Sequence, residues 1–512
     1  MAAAAPDNVF SSNSNIDYPE KGSSTTSKAQ ESVKTIAESE NGYEEGGNHL
    51  DSAAHRAKLE KQLLRKLDLR MIMLVVIFIL NYMDRSNVAV ARLAGLEKDL
   101  GLKGNQYSTV LSIFIVGYIL MMVPSNLFLN YLKRPSLYLP TCTIVWGILS
   151  VLTGFTQNYS GVLACRFFLG FVESTFFPGA LLTLSAWYKQ EELGVRNCIL
   201  FCGILISTAF GTLIATGILG AMDGKLGYAA WRWLFFIEGA MTAVLAIPAY
   251  FIIPDFPNTP SVSTWLTPEE IELVRIRKEE DLSMDLDSVP DSVTTYGIQG
   301  LILAVKDLKV WWLGLSMGLF QFMAGFHQFF PTLAATLGYN RTITLLLCSP
   351  PSILGAVIAF MISRQSDKSR QRFRYIALPL SLGIIGFIMS LTTMNTAVRY
   401  TALFFMEMTG GGWVILLAWT FNSFPQPASK RAVALGLTAA CSQVGQIGGS
   451  YLFPVQWGPS YNNSYIISLG VAAFNIVLCY GYYLYLKKLN RRLDVEDEKV
   501  GHAEAKRFRY LL

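Results

Sequence analysis

The sequence predicts an all-α polytopic membrane protein with twelve transmembrane helices in two six-helix bundles. Only 15% of the 512 residues are charged and 52% are apolar, whereas soluble globular domains are about 25% charged. Apolar stretches of about 20 residues, long enough to cross about 30 Å of hydrocarbon, recur along the chain. This composition favours a membrane protein over a soluble helical one.

We number the predicted spans 1 to 12 in chain order. They cover residues 70–93, 105–131, 136–156, 159–186, 197–221, 232–254, 308–334, 342–363, 374–393, 397–423, 429–454 and 463–486. The longest interior polar stretch, Asp255 to Asp307, separates spans 6 and 7 and divides the helices six and six. The predicted domains are therefore a disordered tail at 1–55, a first bundle with its leading helix at 56–254, a central cytoplasmic loop at 255–307, a second bundle at 308–486 and a cytoplasmic tail at 487–512.

Basic residues predict the orientation of the chain in the membrane. Lys66 and Arg70 precede span 1, and Lys487 and Lys488 follow span 12. The positive-inside rule then puts both termini in the cytoplasm, and we expect a plasma-membrane location and no cleavable signal peptide. Three sequons fall in loops that this topology puts outside, although those loops are short, and they are candidate N-glycosylation sites: Asn158, Asn340 and Asn462.

A stripe of leucines precedes span 1. Leu59, Leu63, Leu64 and Leu67 lie on one face of a charged segment, which predicts an amphipathic helix at the cytoplasmic interface. This helix either leads into span 1 or takes part in gating.

Two ionisable residues stand side by side in span 1, at Asp84 and Arg85. A charge at bilayer depth costs at least about 2.5–3.5 kcal/mol, so such residues face a polar cavity or pair with each other. Adjacent residues project about 100° apart on a helix, so both need not face the cavity equally. Arg85 is the stronger candidate for binding an anion, because its planar fork can donate two parallel hydrogen bonds to a carboxylate.

Span 4 contains a second pair, Arg166 and Glu173, which are two helical turns apart and share a face. They form either a structural ion pair or a proton-sensitive carboxylate beside a cation. If spans 1 and 4 face one cavity, two acids and two bases meet there as a neutral set. Adding one anion and one proton keeps that balance, as proton–anion symport requires.

The second half offers weaker candidates. His327 and Gln328 in span 7 either bind substrate or serve packing, and Glu407 in span 10 either joins the site or caps the backbone near Gly410. Glu238, in span 6, is expected to brace Arg232. Small residues recur in spans 5 and 11, which indicates an internal repeat, whether for rocking of the two halves or for static packing.

These residues resemble the major facilitator superfamily, specifically its anion:cation symporter branch and the fungal allantoate permease-like group. The resemblance covers about residues 60–490 and rests on the segments Asn81–Val88 (NYMDRSNV), Pro124–Asn130 (PSNLFLN), Arg166–Gly179 (RFFLGFVESTFFPG), Trp187–Lys189, Trp231–Gly239 (WRWLFFIEG), Pro254–Pro257 and Trp265–Ile271 (WLTPEEI).

The resemblance implies roles for single residues. It implies carboxylate binding by Arg85, proton coupling by Asp84 and Glu173, and a structural or gating role for Arg166. In the loop between spans 2 and 3, Asn130 replaces the usual Asp, whereas the related loop between spans 8 and 9 keeps the gating residues Asp367 and Lys368. The resemblance also implies the uptake of small organic anions or vitamins, such as allantoate, ureidosuccinate, nicotinate, pantothenate or biotin-like acids. In this family such uptake is usually driven by protons.

We therefore expect a proton-coupled importer of a small organic anion that works as a monomer. Export of an acidic secondary metabolite on the same fold is the alternative, and a non-transporting nutrient sensor is the third hypothesis. The metal-binding motif HExxH and the phosphate-binding P-loop are absent from the sequence. We expect neither an enzyme nor a cofactor, and no nucleic-acid partner.

Overall fold

The computed structural model of the chain describes residues 53–257, 259–260, 264–286, 296–424, 428–500 and 509–512. Contacts divide the chain into two compact units, Met1–Arg65 and Lys66–Leu512. The predicted spans lie in the second unit, and every regular element described in it is helical. The predicted disordered tail at 1–55 lies outside the described residues except for its last three positions, which begin the first helix.

The described part of the first half contains eight α-helices. Their bounds are α1 Ala53–Leu93, α2 Leu96–Asp99, α3 Gln106–Leu132, α4 Pro135–Phe155, α5 Tyr159–Glu173, α6 Phe176–Trp187, α7 Gln190–Ala221 and α8 Ala230–Ile252. Spans 1, 2, 3, 5 and 6 are thus single helices, and span 4 consists of α5 and α6. The leading helix continues into span 1 within α1, and Leu63 and Leu67 of the predicted stripe are buried.

The central segment and the second half continue this pattern. Their helices are α9 Pro268–Leu286, α10 Tyr296–Lys306, α11 Leu308–Met323, α12 Phe330–Ala335, α13 Arg341–Ser369, α14 Phe373–Thr392, α15 Thr396–Glu407, α16 Thr409–Asn422, α17 Ala428–Gly449 and α18 Asn462–Val500. A 3-10 turn at Ala324–Phe329 joins α11 to α12 within span 7.

Eight of the described helical segments are long and apolar enough to cross a membrane, by length and composition. They correspond to predicted spans 2, 3, 4, 6, 8, 9, 10 and 12. The other four, spans 1, 5, 7 and 11, are also helical and are the first and fifth of each half. Large apolar side chains such as Leu127 and Phe251 are 67% and 80% exposed, which suits positions that face lipid tails.

Spans 4, 7 and 10 each consist of two helical segments with a break between them. In span 4 the hydroxyls of Ser174 and Thr175 donate to the carbonyl oxygens of Phe171 and Val172, at 2.9 and 2.7 Å, where α5 ends. Such side-chain bonds compete with the helical ladder. Pro178 then lacks the amide hydrogen that would continue it.

Span 10 breaks at the equivalent place. The helix α15 ends at Glu407, Met408 forms the junction, and the Thr409 hydroxyl donates to the Met406 carbonyl oxygen at 2.7 Å. Two glutamates, Glu173 and Glu407, thus end the first segments of spans 4 and 10. An apolar pattern cannot reveal such a break, because the residues on both sides of it stay apolar.

Close helix pairs repeat in the two halves. In the first half α3 packs on α5 and α4 on α8, and in the second half α13 packs on α16, α11 on α17 and α14 on α18. A Cβ atom at Gly170 would overlap the Phe114 carbonyl oxygen, and one at Gly445 would overlap that of Gly318. Small residues therefore let backbones touch, as helix packing in membranes favours.

The two halves contact each other through α7 with α13 and α3 with α17. The hydroxyls of Thr212 and Ser349 are 2.8 Å apart, and those of Thr109 and Tyr451 are 3.2 Å apart. Since successive spans alternate in direction, these contacts lie toward the end of the bundle opposite the end where span 1 begins.

Two segments predicted to be polar contain helices. The central loop at 255–307 contains α9 and α10, and Leu301, Ile302 and Leu303 of α10 are half exposed apolar residues. In the predicted tail at 487–512, the residues up to Val500 continue the helix α18. The described end of the chain packs on the second half, where Trp419 Nε1 donates to the Leu511 carbonyl oxygen at 2.9 Å.

Candidate substrate and proton site

Arg85 lies on α1 and faces Glu173, the last residue of α5. Its Nε donates to Glu173 Oε2 at 2.9 Å. The Arg85 side chain is 22% exposed, whereas that of Glu173 is fully buried. The bond to Glu173 uses Nε, and the guanidinium also carries N–H donors on its two Nη atoms, which can meet a ligand.

Three aromatic rings surround the Arg85 guanidinium. Its Cζ lies 5.1 Å from the ring centre of Tyr82, 5.3 Å from that of Phe114 and 4.8 Å from that of Tyr118. Cations within about 6 Å of an aromatic ring are stabilised by its quadrupole. These rings hold the charged group in place and make its surroundings largely apolar, so an anion that reaches Arg85 meets little competing water.

Asp84 points in another direction. It is buried, and its Oδ1 accepts a hydrogen bond from the Ser150 hydroxyl of α4 at 3.2 Å. Asp84 therefore faces span 3, whereas Arg85 faces span 4, as their separation on the helix predicts. Within the described residues its second oxygen, Oδ2, is buried and has no hydrogen-bond partner.

Arg166 completes the predicted group of four. It is buried on α5, its Cζ lies 5.4 Å from the ring centre of Phe235, and it is in electrostatic contact with Glu173 and Asp84. In the part of the chain that the structure describes, its Nε and Nη2 atoms have no hydrogen-bond partner. The four residues are thus brought together, but the carboxylate of Glu173 is bonded to Arg85 rather than to Arg166.

Glu238 also belongs to this cluster. The sequence had not predicted this, because it paired Glu238 with Arg232. It is buried on α8, and its Oε2 accepts a hydrogen bond from Asn87 Nδ2 of α1 at 2.7 Å. Asn87 lies one turn after Asp84, on the same face of α1. The predicted contact between Glu238 and Arg232 was wrong.

Arg232 is bonded elsewhere. It donates to Asp99 Oδ2 at 3.2 Å and to the carbonyl oxygens of Gly154 and Thr156 at 2.8 and 2.7 Å. A signal for Glu238 was nevertheless present, because it is ionisable and lies in an apolar run, as Asp84 and Arg85 do.

The second half contains a related pair. His327, in the 3-10 turn of span 7, has its Nδ1 atom 3.3 Å from Glu407 Oε1. His327 is 40% exposed and Glu407 is 11% exposed. Gln328 Oε1 accepts a hydrogen bond from the Ser450 hydroxyl at 2.9 Å. Two roles were predicted for Glu407, a place in the site or capping of the backbone. Its side chain contacts His327, which comes from another span.

The predicted gating loop after span 8 is held by a bond within its own turn. Asp367 Oδ1 accepts from Arg372 Nη1 at 2.6 Å, and Lys368 is exposed. Its counterpart in the first half, Asn130, is also exposed. Both loops lie at the end of the bundle where span 1 begins.

Two of the three sequon asparagines act as helix caps. Asn158 Oδ1 accepts from the Gly161 amide at 2.8 Å, and Asn340 Oδ1 accepts from the Ile343 amide at 2.9 Å. Asn462 is the first residue of α18. All three are exposed. Helix capping is therefore another reason for an asparagine at these sequons, besides glycosylation.

Comparisons with known proteins agree with this fold. Residues 74–450, well over half of the chain, match the family model of the Major Facilitator Superfamily. The chain belongs to the major facilitator superfamily. It is therefore a polytopic membrane transporter and not an enzyme, and its twelve spans are consistent with this family.

Similar proteins include the MFS-type transporter cnsO of Penicillium expansum, 31% identical over 92% of this chain and 93% of that protein. Among solved structures, a bacterial homologue of the human lysosomal transporter Spinster, inward-facing and unoccupied, gives a TM-score of 0.63 at 15% identity, over 81% of this chain and 96% of that one. The D-xylose-proton symporter gives 0.60 at 15% identity, over 80% and 97%. At this identity the structures show the fold alone.

Proposed function

We propose that this superfamily member is a proton-coupled importer of a small organic anion bearing a carboxylate. In this proposal it lies in the plasma membrane with both termini in the cytoplasm, and it acts within the anion:cation symporter branch, near the allantoate permease-like group. The observation that carries the proposal is the bond between the partly exposed Arg85 and the fully buried Glu173.

Arg85 supports an anionic substrate. A buried carboxylate holds Nε, three rings fix the guanidinium, and the side chain is 22% exposed. A planar fork matches the two oxygens of a carboxylate, and a charge-assisted bidentate contact is among the strongest hydrogen bonds in proteins. Allantoate, nicotinate, pantothenate and related acids share this one group, so the cluster supports the class rather than one compound.

Glu173 supports coupling to protons. When Glu173 is ionised, it competes with a substrate carboxylate for Arg85, because both are anions that seek the same cation. When Glu173 takes up a proton, that competition ends and Arg85 becomes a net positive site. A proton and an anion then bind together more readily than either alone, which is the thermodynamic content of symport. Asp84 is the second carboxylate in this coupling role, and Arg166 stabilises both ionised forms.

His327 and Gln328 supply the substrate contacts of the second half. His327 is the more exposed member of its pair with Glu407, which suits a donor that meets a ligand. A substrate held by Arg85 on one side and His327 on the other joins the halves, and alternating access then moves one half against the other.

The contacts between the halves support a state that opens toward the cytoplasm. Arg92, at the end of span 1, lies 4.3 Å from the ring centre of Tyr107 and 5.4 Å from that of Phe329, which belongs to the second half. With cytoplasmic termini, these contacts close the outer end. Asp367 and Lys368 lie at the inner end, where gating contacts form in the opposite state.

Uptake tests this proposal. Cells that lack endogenous uptake would express the protein and receive labelled vitamins, ureides and short carboxylates, with and without a proton uncoupler. We expect saturable accumulation of one acid, lost with the uncoupler. A neutral analogue of that acid, its amide, is the matched control and should not enter. Secretion of an acid in place of uptake would favour the exporter, and entry of the amide at equal rate would overturn the anion site.

A further inference from the structure

The buried cluster of the first half contains one carboxylate more than its guanidiniums can balance. Glu173, Asp84 and Glu238 are buried acids, and Arg85 and Arg166 are the cations that face them. With every group ionised the cluster would carry one net negative charge inside the membrane. Uncompensated charge at this depth is strongly unfavourable, and a carboxyl group in that position takes up a proton instead.

The surroundings of the three acids differ. Glu173 is bonded to Arg85 at 2.9 Å and so stays ionised when Arg85 has no other anion. Asp84 lies near the other two acids, Glu173 and Glu238, but it also accepts from Ser150 and is in electrostatic contact with Arg166. Glu238 accepts from the neutral amide of Asn87, and no guanidinium is bonded to it within the described residues.

Apart from Arg166, whose Cζ lies 5.4 Å from the ring centre of Phe235, one turn before Glu238, the helices around Glu238 bring few charges to it. On α1 it faces Asn87 and, one turn earlier, Asp84, which repels a second negative charge. The helix α4 carries no charged residue, and α7 carries its charged residues only within 190–196, in its first two turns. Arg232 on α8 itself is bonded to Asp99 and to the Gly154 carbonyl oxygen.

Two polar atoms near Glu238 are also unsatisfied. Its own Oε1 and the hydroxyl of Thr242, one turn further along α8, are buried and have no hydrogen-bond partner in the described part of the chain. A carboxylic acid has a hydroxyl to donate, whereas a carboxylate adds only acceptors. We infer that Glu238 is a proton-binding site, which holds one proton in the substrate-free protein and keeps the buried cluster neutral.

This site deepens the proposed symport and rests on it for its role in transport. A neutral cluster at rest can accept a substrate anion only if a second proton, on Glu173, enters with it. The proton on Glu238 is then the one that lets Asp84 stay ionised beside Arg166. Glu238 does not touch the substrate in this scheme, and it acts by setting the charge that Arg85 and Glu173 experience.

Infrared spectroscopy of the purified full chain in lipid nanodiscs, without substrate and at neutral pH, tests the inference directly. We expect the carbonyl band of a buried, protonated carboxylic acid. Glu238→Gln should remove it, and Glu279→Gln, which changes a glutamate that is 65% exposed, should leave it unchanged. Absence of the band in the unmodified protein would overturn the inference.

Because removal of any one acid would neutralise the cluster, the position of the proton needs a second pair of variants. Asn87→Ala removes the donor to Glu238, so the band should move to higher frequency, as for a carbonyl that loses a hydrogen bond. Ser150→Ala removes the donor to Asp84 and should leave the band in place. The reverse result would assign the proton to Asp84. If the band appears only when sodium in the buffer is replaced by choline, a sodium ion, rather than a proton, balances the charge of the cluster in sodium buffer. That result would overturn the inference.

These outcomes are separable from those of the uptake experiment, since no substrate is present. If no acid is transported but the band responds to Asn87→Ala, the proton site stands and the proposed substrate class falls. If an acid is taken up with protons but the band is absent, the importer stands and the proton on Glu238 falls.

Discussion

Glu173 and Glu407 occupy equivalent positions in the two halves of the protein. Each is the last residue of the first helical segment of a broken span, α5 in span 4 and α15 in span 10. Each contacts a nitrogen-bearing side chain from the first span of its own half, Arg85 at 2.9 Å and His327 at 3.3 Å. The two pairs differ chemically, because the guanidinium is always charged whereas the imidazole is charged only when protonated.

Replacement of Arg85 by Lys tests the bidentate contact. Lys keeps the charge but offers a point donor in place of a planar fork. We expect the apparent KM for the transported acid to rise at least about tenfold, since a lost charged hydrogen bond costs about 1.5–3 kcal/mol. Initial rates of uptake at several concentrations measure this. The exposed Arg374, changed to Lys, is the matched control, and an unchanged KM for Arg85→Lys would refute the fork.

Replacement of Glu173 by Gln separates coupling from binding. Gln still accepts a hydrogen bond from Arg85 but cannot gain or lose a proton. We expect uptake driven by a proton gradient to stop short of accumulation, while exchange of labelled for unlabelled substrate continues. Proteoliposomes with imposed gradients allow both measurements. Full accumulation by Glu173→Gln would exclude this residue from coupling, and Glu279→Gln should behave as the unmodified protein.

The pair in the second half should respond differently. His327→Gln keeps a hydrogen-bond donor but removes the titratable ring, and we expect a several-fold higher KM with accumulation intact, because Glu173 remains. Glu407→Gln should likewise raise the KM, by a smaller factor, and leave accumulation intact. Parallel measurement of KM and of the final accumulation ratio decides this. Loss of accumulation in His327→Gln would instead place proton coupling in the second half.

The cost of a charge in the bilayer predicted where the polar core of the first half lies. Asp84, Arg85, Arg166 and Glu173 do meet, although the partner of Glu173 could not be read from span 4 alone, because it comes from span 1. The misassignment of Glu238 had a local cause. It lies six positions after Arg232, which is about 9 Å along a helix and about 120° around it, so proximity in sequence did not mean contact.

Other features depend on packing that no local pattern contains. The contact of His327 with Glu407 requires span 7 to lie against span 10, and the 3-10 turn that orients His327 lies inside an apolar stretch. Eight of the spans were predictable because their length and hydropathy determine them. The breaks in spans 4, 7 and 10 were not, since apolar residues continue on both sides of each.

Asp307, just before α11, predicts a pH dependence of stability. Burial alone raises the pKa of its carboxyl group, but the bonds from Lys430 and from the Lys309 amide outweigh this and bring the pKa below its ordinary value. A lowered pKa stabilises the folded protein above the ordinary value of about 3.9, and that contribution is lost as the pH falls through the pKa of the folded state.

We therefore expect Asp307→Asn to lower the melting temperature at pH 7 and equally at pH 5.5. The difference from the unmodified protein should shrink only near pH 4 and below. Thermal unfolding in detergent, followed at each pH, measures it. Asp494→Asn, at an acid that is 57% exposed, is the control and should change little. A difference that already disappears between pH 7 and 5.5 would contradict the lowered pKa.

Gly445 tests the close approach of spans 7 and 11. A Cβ at this position would overlap the Gly318 carbonyl oxygen, so Gly445→Ala must separate α11 from α17. Overpacking of this kind costs about 1–3 kcal/mol, and we expect a lower melting temperature together with slower transport.

Gly436, on the same helix, is the matched control because a Cβ there meets nothing within 4 Å. Gly436→Ala should be neutral or stabilising by up to about 1 kcal/mol, since Ala favours a helix more than Gly does. Equal melting temperatures for the two variants would show that the backbones of α11 and α17 do not touch at Gly445.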